Sequence, residues 1–389
     1  VTAKYLLSKQ YFISTEGFFM PTPVKVGVIG CGNISDQYLS NAPKFPILQV
    51  TALADLDIAK AEAQAKKYGI PRVLSVDALL ADTDIELVIN LTIPQAHVPV
   101  GRQAIAYGKH TYAEKPLGLD RAEARQMLDE AAAKNLRVGC APDTFMGAGI
   151  QTARKVIDDG LIGVPVAATA FMMGRGHESW HPSPEFYYAP GGGPMFDMGP
   201  YYLTALLNLL GPIKRLTGSA SIAVPERTIT SQPKHGQKIT VETPDHIAGT
   251  LEFAQGTVAT IITSFAVHQA QYNGEFPITI YGTEGTLKVP DPNNFDGTVQ
   301  LWRANGGEWE DVPPAFVMGY GRMVGVADMA YAVRSGRPHR ASAEQAYTVL
   351  DAMQGFLDTA RTGQSYTLSA PYARPAPMPA DLPFGTLDE

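Results

Sequence analysis

Hydrophobic and polar positions along this chain fall into two regimes. Between Val24 and Ala141 short apolar or β-branched runs recur at 24–29, 48–54, 72–74, 85–91, 110–113 and 137–141. Runs of that length without alternation mark strands covered on both faces. The intervening segments carry helical signals. Residues 58–68 are alanine-rich, with Gly69 placed as a C-cap and Pro71 preventing continuation. Further helices are expected at 77–80, at 97–107 before Gly108, and from Asp120-Arg121-Ala122-Glu123, a capping-box-like start, to about Asn135. Strand and helix alternate six times, which predicts an α/β domain built on a doubly wound parallel sheet.

From about Phe145 the pattern changes. One helix is expected at 150–159, and then strand-like segments dominate at 164–173, 213–224, 246–253, 257–267, 278–281, 286–289 and 299–302. The alternation in Thr257-Val258-Ala259-Thr260-Ile261-Ile262-Thr263 and the turn pairs Gln255-Gly256 and Glu284-Gly285 predict a mostly antiparallel, open-faced sheet. Helices at 323–334 and 343–362 follow, and the proline-rich tail from Ala370 is expected to lie extended. The division expected is an extension without fixed structure at 1–20, a dinucleotide-binding domain at 21–145, and an α+β domain for substrate and oligomer contacts at 146–389. An exposed sheet face favours a homodimer or homotetramer.

Composition narrows the function classes. With 389 residues, 45% hydrophobic and 18% charged, the chain can bury two substantial cores. Its formal net charge of −7 argues against a nucleic-acid partner, which calls for a basic face. Cys31 and Cys140, the two cysteines, cannot form a disulfide framework and fall in or beside expected strands. Buried thiols in a reducing compartment follow, and with no membrane-length apolar run a cytoplasmic location is expected.

The stretch Gly30-Cys31-Gly32-Asn33-Ile34-Ser35, directly after the first strand, reads as a glycine turn opening a helix. Gly30 permits the tight turn, and Gly32, Asn33 and Ile34 would present backbone to a pyrophosphate. Ser35 stands where the third glycine of such a fingerprint usually falls. The second strand ends in Asp55, about 25 residues on, where a carboxylate can accept hydrogen bonds from a ribose diol. A helix cap is the competing role, for which Asp57 is the better placed residue. No cation follows before Lys60, so NAD is favoured over NADP. The 85–91 strand delivers Thr92, Pro94 and His97 to the edge where ligands bind in such sheets; His97 reads equally as a structural residue at a helix start.

Three stretches carry candidate chemistry. Glu114-Lys115-Pro116 closes the fifth strand, and a lysine facing a cationic nicotinamide has its pKa lowered by like charge and burial, which suits a proton shuttle. Gly191-Gly192-Gly193 precedes Asp197 and Tyr201, four residues apart and able to share a helix face. His177, Trp180 and His181, with Tyr187-Tyr188 beyond, offer an aromatic platform suited to a sugar; two histidines alone do not make a metal site, and none is expected.

Together these pieces resemble the glucose–fructose oxidoreductase, inositol dehydrogenase and MocA family over residues 24 to about 362. The carriers are GCGNIS with Asp55, Pro94-x-x-His97, Glu114-Lys115-Pro116, and the triple glycine followed by Asp197. The resemblance implies a Rossmann domain followed by an open-faced sheet domain, and NAD(P)-dependent oxidation of sugar or polyol hydroxyls with Lys115 and Asp197 flanking the substrate carbinol. The family commonly has a His four residues after that Asp, and here Tyr201 stands there. The proton acceptor is then Lys115, a Tyr201 whose pKa Lys115 lowers, or an imidazole from His177 or His181. An NAD-dependent sugar or polyol dehydrogenase is the leading reading. A glycosidase working by transient C3 oxidation, elimination and water addition is the alternative. A non-catalytic NAD-binding regulator comes third, since a pure sensor needs neither Lys115 nor Asp197.

Overall fold

The computed structural model describes residues 11–13, 19–268, 276–369 and 372–388. Six parallel strands form the first sheet: β1 (Val24–Ile29), β2 (Leu48–Ala54), β3 (Arg72–Val73), β4 (Leu87–Asn90), β5 (His110–Ala113) and β6 (Val138–Cys140). Their spatial order is β3-β2-β1-β4-β5-β6. Val24, Val26 and Val28 are fully buried, as expected of a strand covered on both faces. The order reverses between β1 and β4, so a crevice opens outside their carboxyl ends. Helices α1 (Ser35–Asn41), α2 (Ile58–Tyr68), α3 (Val76–Ala81), α4 (Pro94–Ala106) and α5 (Arg121–Ala133) connect the strands. The start of α5 is capped as the sequence suggests, Asp120 accepting the amides of Ala122 and Glu123.

After β6, α6 (Ala148–Asp158) leads into a nine-stranded sheet. Its strands are β7 (Pro165–Met173), β8 (Ile213–Ser221), β9 (His246–Phe253), β10 (Val258–Ser264), β11 (Ile278–Gly282), β12 (Gly285–Val289), β13 (Val299–Arg303), β14 (Glu310–Val312) and β15 (Tyr366–Thr367). Every pairing is antiparallel except β10 with β7. Helices α7 (Gly193–Asp197), α8 (Gly199–Leu210), α9 (Val324–Ser335) and α10 (Ala343–Thr362) complete the fold. All twelve residues of α8 are buried, which its all-round apolar sequence GPYYLTALLNLL dictates. Gly218 and Gly249 face each other across β8 and β9, and a side chain on either would strike the Phe356 ring of α10. That slot docks α10 onto the sheet.

The extension departs from the expectation of disorder over part of its length. Tyr11–Ile13 pairs antiparallel with Phe19–Pro21; the rest of the extension lies outside the described residues. The tail from Tyr372 has no regular secondary structure but is anchored, with Tyr372, Met378 and Leu387 buried. A short ribbon, Glu226–Thr228 with Lys238–Thr240, and strands β14 and β15 escaped the pattern, each being only two or three residues long. Among the described residues no helix is long and apolar enough to cross a membrane.

Candidate active site

The crevice is lined first by the β1–α1 turn. Gly30 has φ +99°, and a Cβ there would lie 2.6 Å from the Leu91 carbonyl carbon, so only glycine lets this turn pack on the chain leaving β4. Gly32 is exposed, and an added Cβ would meet nothing within 4 Å. Ser35 is buried, and its hydroxyl donates to the Gly32 carbonyl at 2.6 Å, closing the turn where a third glycine was absent. No side chain caps the amino end of α1 at Ile34. That leaves the backbone amides at this helix start available to an anion. Asp55, at the tip of β2, accepts the Cys31 amide at 2.7 Å and the Asp57 amide at 2.8 Å. Each carboxylate oxygen keeps a lone pair for a further donor. Asp57 sits at the N-cap of α2 without a side-chain cap bond. An open glycine turn, uncapped amides and a strand-tip carboxylate suit an adenosine diphosphate ribose moiety.

Two residues expected to touch a cofactor do something else. His97 is 1% exposed; its Nδ1 lies 2.7 Å from the Pro116 carbonyl oxygen and its Nε2 3.1 Å from that of Thr92. Burial lowers its pKa, and the neutral ring, set between these two carbonyls and donating to one of them, packs the loops after β4 and β5 together. Glu114 is also buried, accepting the Tyr38 hydroxyl at 2.8 Å and the Lys115 amide at 2.9 Å. Both positions read as contacts because they lie at strand ends, but their polar atoms face inward. Thr92 donates its hydroxyl to Asn90 at 2.6 Å, and Pro94 takes the first turn of α4, where its missing N–H costs nothing.

Lys115 and Asp197, 82 residues apart in sequence, meet at the mouth of the crevice. Lys115 Nζ donates to Asp197 Oδ1 at 2.8 Å and to the Asp197 carbonyl at 2.7 Å. The triple glycine makes this possible. Gly193 has φ +83°, and a Cβ there would come 2.7 Å from the Pro244 carbonyl oxygen, so the turn into α7 tolerates no side chain. His177 completes the set, its Nε2 lying 3.0 Å from Asp197 Oδ2. The His177 ring packs on Tyr187 and Phe265, with centroids 3.9 and 4.6 Å away. Its backbone amide donates to the Tyr188 hydroxyl at 3.1 Å, and Tyr188 hydrogen-bonds Glu178. Arg227 then links Glu178 to Asp245, fixing the loop beneath His177.

The electrostatics correct one expectation about Lys115. Burial does act to lower its pKa, but the Asp197 carboxylate, with Tyr201 and Glu114, outweighs it and holds the ammonium above the usual lysine range. Burial acts to raise Asp197, yet Lys115 and the His177 hydrogen bond keep it well below the usual carboxylate range. The pair is a charged clamp. Tyr201 is 5% exposed, and its ring lies 5.2 Å from Lys115 Nζ. Its pKa is raised: burial exceeds the lowering by Lys115 and by Arg322. Arg322, which no sequence signal marked, donates from Nη2 to the Tyr201 hydroxyl at 2.8 Å. His181 lies outside this set. Its Nδ1 accepts the Ser183 amide at 3.0 Å, and its ring packs against Trp180, Phe186 and Tyr187. Trp180 is 60% exposed, an aromatic surface standing next to His177. A cavity of about 840 Å³ near Arg137 and Pro338 opens at the amino end of β6, away from this cleft, so volume alone does not mark the site.

A doubly wound sheet with this crevice, and a second sheet domain that brings an acid to a strand-end lysine, define a two-domain dinucleotide-dependent oxidoreductase. The profile described as "Oxidoreductase family, NAD-binding Rossmann fold" matches residues 24–141, and the "GFO/IDH/MocA C-terminal domain" matches residues 150–288. The chain belongs to the GFO/IDH/MocA oxidoreductase family. It is 27% identical over 306 residues to dTDP-3,4-didehydro-2,6-dideoxy-alpha-D-glucose 3-reductase of Streptomyces antibioticus, covering 76% of this chain and 85% of that protein. It is 26% identical over 254 residues to D-glucoside 3-dehydrogenase of Escherichia coli strain K12, covering 64% and 72%. The match to an uncharacterized oxidoreductase of Schizosaccharomyces pombe spans about half of that protein, 52%. A levoglucosan dehydrogenase in complex with NADH and levoglucosan shares the fold at a TM-score of 0.75 and 20% identity, over 90% of this chain and 100% of that one.

Proposed function

We propose that this protein oxidises a secondary hydroxyl of a sugar or polyol, with NAD rather than NADP as the partner oxidant. The observation that carries the reading is the Lys115–Asp197 ion pair, 2.8 Å long, at the carboxyl end of β5 beside an anion-ready glycine turn. The Streptomyces and Escherichia relatives are named for sugar substrates, which supports the substrate class. Bound in the crevice, the nicotinamide supplies a hydride acceptor. Gly32, Asn33 and Ile34 would hold the pyrophosphate, and Asp55 would hold the adenosine ribose.

The chain's own groups then divide the remaining work. Lys115 donates a hydrogen bond to the substrate hydroxyl and, as carbonyl character develops, stabilises the oxygen. Asp197 orients Lys115 and accepts from a neighbouring hydroxyl, with His177 holding its second oxygen. The Lys115 ammonium is held charged, so it serves better as donor than as base. Trp180 offers a flat apolar face of the kind that sugar C–H surfaces pack on.

Screening sugars, cyclitols and aryl glycosides for NADH formation and for aglycone release tests the reaction. Accumulation of NADH in step with substrate loss is the expected outcome. Release of aglycone without net NADH would instead establish the glycosidase reading, which the exposed aromatic loop also accommodates. The cofactor preference is tested at Asp55. Replacing it by Ser keeps an acceptor for the Cys31 amide but removes the charge; NAD affinity is expected to fall about tenfold to a hundredfold, and the NAD/NADP preference to shrink, since a charged hydrogen bond is worth about 1.5–3 kcal/mol. Unchanged affinity in a cofactor titration rules out a ribose contact there.

The open face of the nine-stranded sheet, with Val258 and Tyr281 exposed side by side opposite Ala167, is where we place a homodimer or homotetramer contact. Sedimentation of the intact protein checks it: a monomer at micromolar concentration removes the assignment.

A further inference from the structure

The cavity of about 840 Å³ at the amino end of β6 takes no part in the reaction proposed above. It lies where the two domains meet. Leu128 and Ala131 of α5, Leu136 and Val138 at the start of β6, and Tyr372 of the tail give it an apolar wall. Its size falls in the range of sites that hold small molecules. Charged side chains line it as well: Arg137 just before β6, Arg337 and Arg340 between α9 and α10, Glu344 in the first turn of α10, and Arg374 in the tail.

Three of the four arginines are already committed. Asp328, fully buried on α9, accepts from Arg337 Nη2 at 2.8 Å and also pairs with Arg340. Its second oxygen accepts the Arg340 backbone amide at 2.6 Å. Arg337 Nε donates to Asp388 at 2.8 Å, and Arg340 Nη2 to the Pro377 carbonyl at 2.9 Å. Arg374 pairs with Asp158 and donates to the carbonyls of Asn208 and Leu209.

Arg137 is the exception. It is half-buried, and among the described residues no carboxylate pairs with it. Its nearest side-chain partner is His339. That ring sits with Nε2 3.0 Å from the Val138 carbonyl, so Nε2 carries the hydrogen and Nδ1 turns a lone pair to Arg137 Nη1 at 3.5 Å. Burial and the neighbouring Arg337 both work against the Arg137 charge, and only Asp328, already shared by two other arginines, favours it. Glu344 is exposed and faces His339. A guanidinium drawn partly out of water beside another cation, with most of its N–H groups unspent, is costly until an anion meets it.

We propose that this cavity is a second binding site, separate from the substrate cleft, for a small organic carboxylate with an apolar body. Arg137 takes the carboxylate through parallel N–H···O bonds, which its planar fork matches. The body lies on Leu128, Ala131, Leu136, Val138 and Tyr372, where burying it is favourable. One uncommitted guanidinium balances one negative charge. Glu344 adds a negative charge to the wall, so a dianion such as a phosphate ester fits less well.

The test is calorimetric titration of the full chain with benzoate, 2-naphthoate and octanoate, each against its neutral amide. At least one carboxylate is expected to bind about tenfold or more tightly than its amide. Arg137→Met should lose about that factor and Arg137→Lys less, since an ammonium lacks the fork. Lys115→Met, which removes the cation of the substrate cleft, should leave the affinity unchanged. Ala132→Phe, at an exposed position of α5 on the cavity wall, should weaken binding by filling the space. It decides the matter if Arg137→Met does not fold. No binding of any of the three carboxylates at about 10 mM overturns the proposal. So does inorganic phosphate binding as tightly as they do, because the apolar wall then contributes nothing. Binding that survives in Arg137→Met and vanishes in Lys115→Met places the anion in the substrate cleft and overturns it too. None of these outcomes depends on whether the protein oxidises a sugar.

Discussion

Lys115→Met is expected to lower turnover about a thousandfold, roughly 4 kcal/mol of transition-state stabilisation, while NADH affinity changes little. Methionine keeps the length and apolar stem of lysine, so the variant removes the ammonium and little else. That ammonium makes two contacts, with the Asp197 carbonyl and carboxylate, and neither reaches the glycine turn proposed to hold the dinucleotide. The loss should therefore appear in kcat and leave binding nearly intact. Asp197 in this variant keeps its His177 contact, so the acid side of the cleft stays in place. The check is a pair of measurements, steady-state turnover on the sugar that the wild type oxidises and a fluorescence titration with NADH. Turnover within tenfold of wild type takes Lys115 out of the mechanism.

A second large effect is expected where Gly32 and Gly30 are compared. Gly32→Ala adds a methyl that meets no protein atom within 4 Å. The fold should be indifferent, with an unchanged melting temperature. NADH affinity should nonetheless fall by about tenfold to a hundredfold, because the methyl occupies the space that backbone and pyrophosphate must share. Gly30→Ala behaves differently. Its Cβ would lie 2.6 and 2.7 Å from the Leu91 carbonyl carbon and oxygen, at a φ of +99° that side chains rarely adopt. Strain and overpacking together cost roughly 2–4 kcal/mol, so this variant should lose melting temperature as well as affinity. A thermal melt and an NADH titration on the two variants separate the roles. Equal affinity of Gly32→Ala and wild type would place the dinucleotide elsewhere.

Much of the architecture was legible because local patterns carry it. The buried β-branched run of β1, the Gly69 stop and the Asp120 cap each depend on a few neighbouring residues, and all three appear in place. Elements of two or three residues, such as β14 and β15, have no period to detect, and long-range pairing alone creates them. The same division runs through the site. Gly30, Asp55, Lys115 and Asp197 sit at points that strand ends and glycine turns announce. Whether their neighbours face the cleft or the interior is not announced: His97 and Glu114 occupy strand-end positions yet spend their polar atoms on Pro116, Thr92 and Tyr38. The protonation of Lys115 followed the same rule, since the lysine's own position implied a lowered pKa and the partner delivered from another domain reversed it.

By itself, then, the chain's sequence determined the two sheets, the glycine turn after β1, and the places of Lys115 at a strand end and Asp197 after a triple glycine, because each rests on residues within one or two turns of the backbone. Tertiary structure alone decided which partners surround them. His177 reaches Asp197 because an Arg227–Glu178–Asp245 network holds its loop. Arg322 reaches Tyr201 across 121 positions because Asp143 fixes the strand of chain on which it sits. Charge and hydrogen bonding act over a few ångströms in space, and no spacing along a sequence encodes a distance that folding has yet to create.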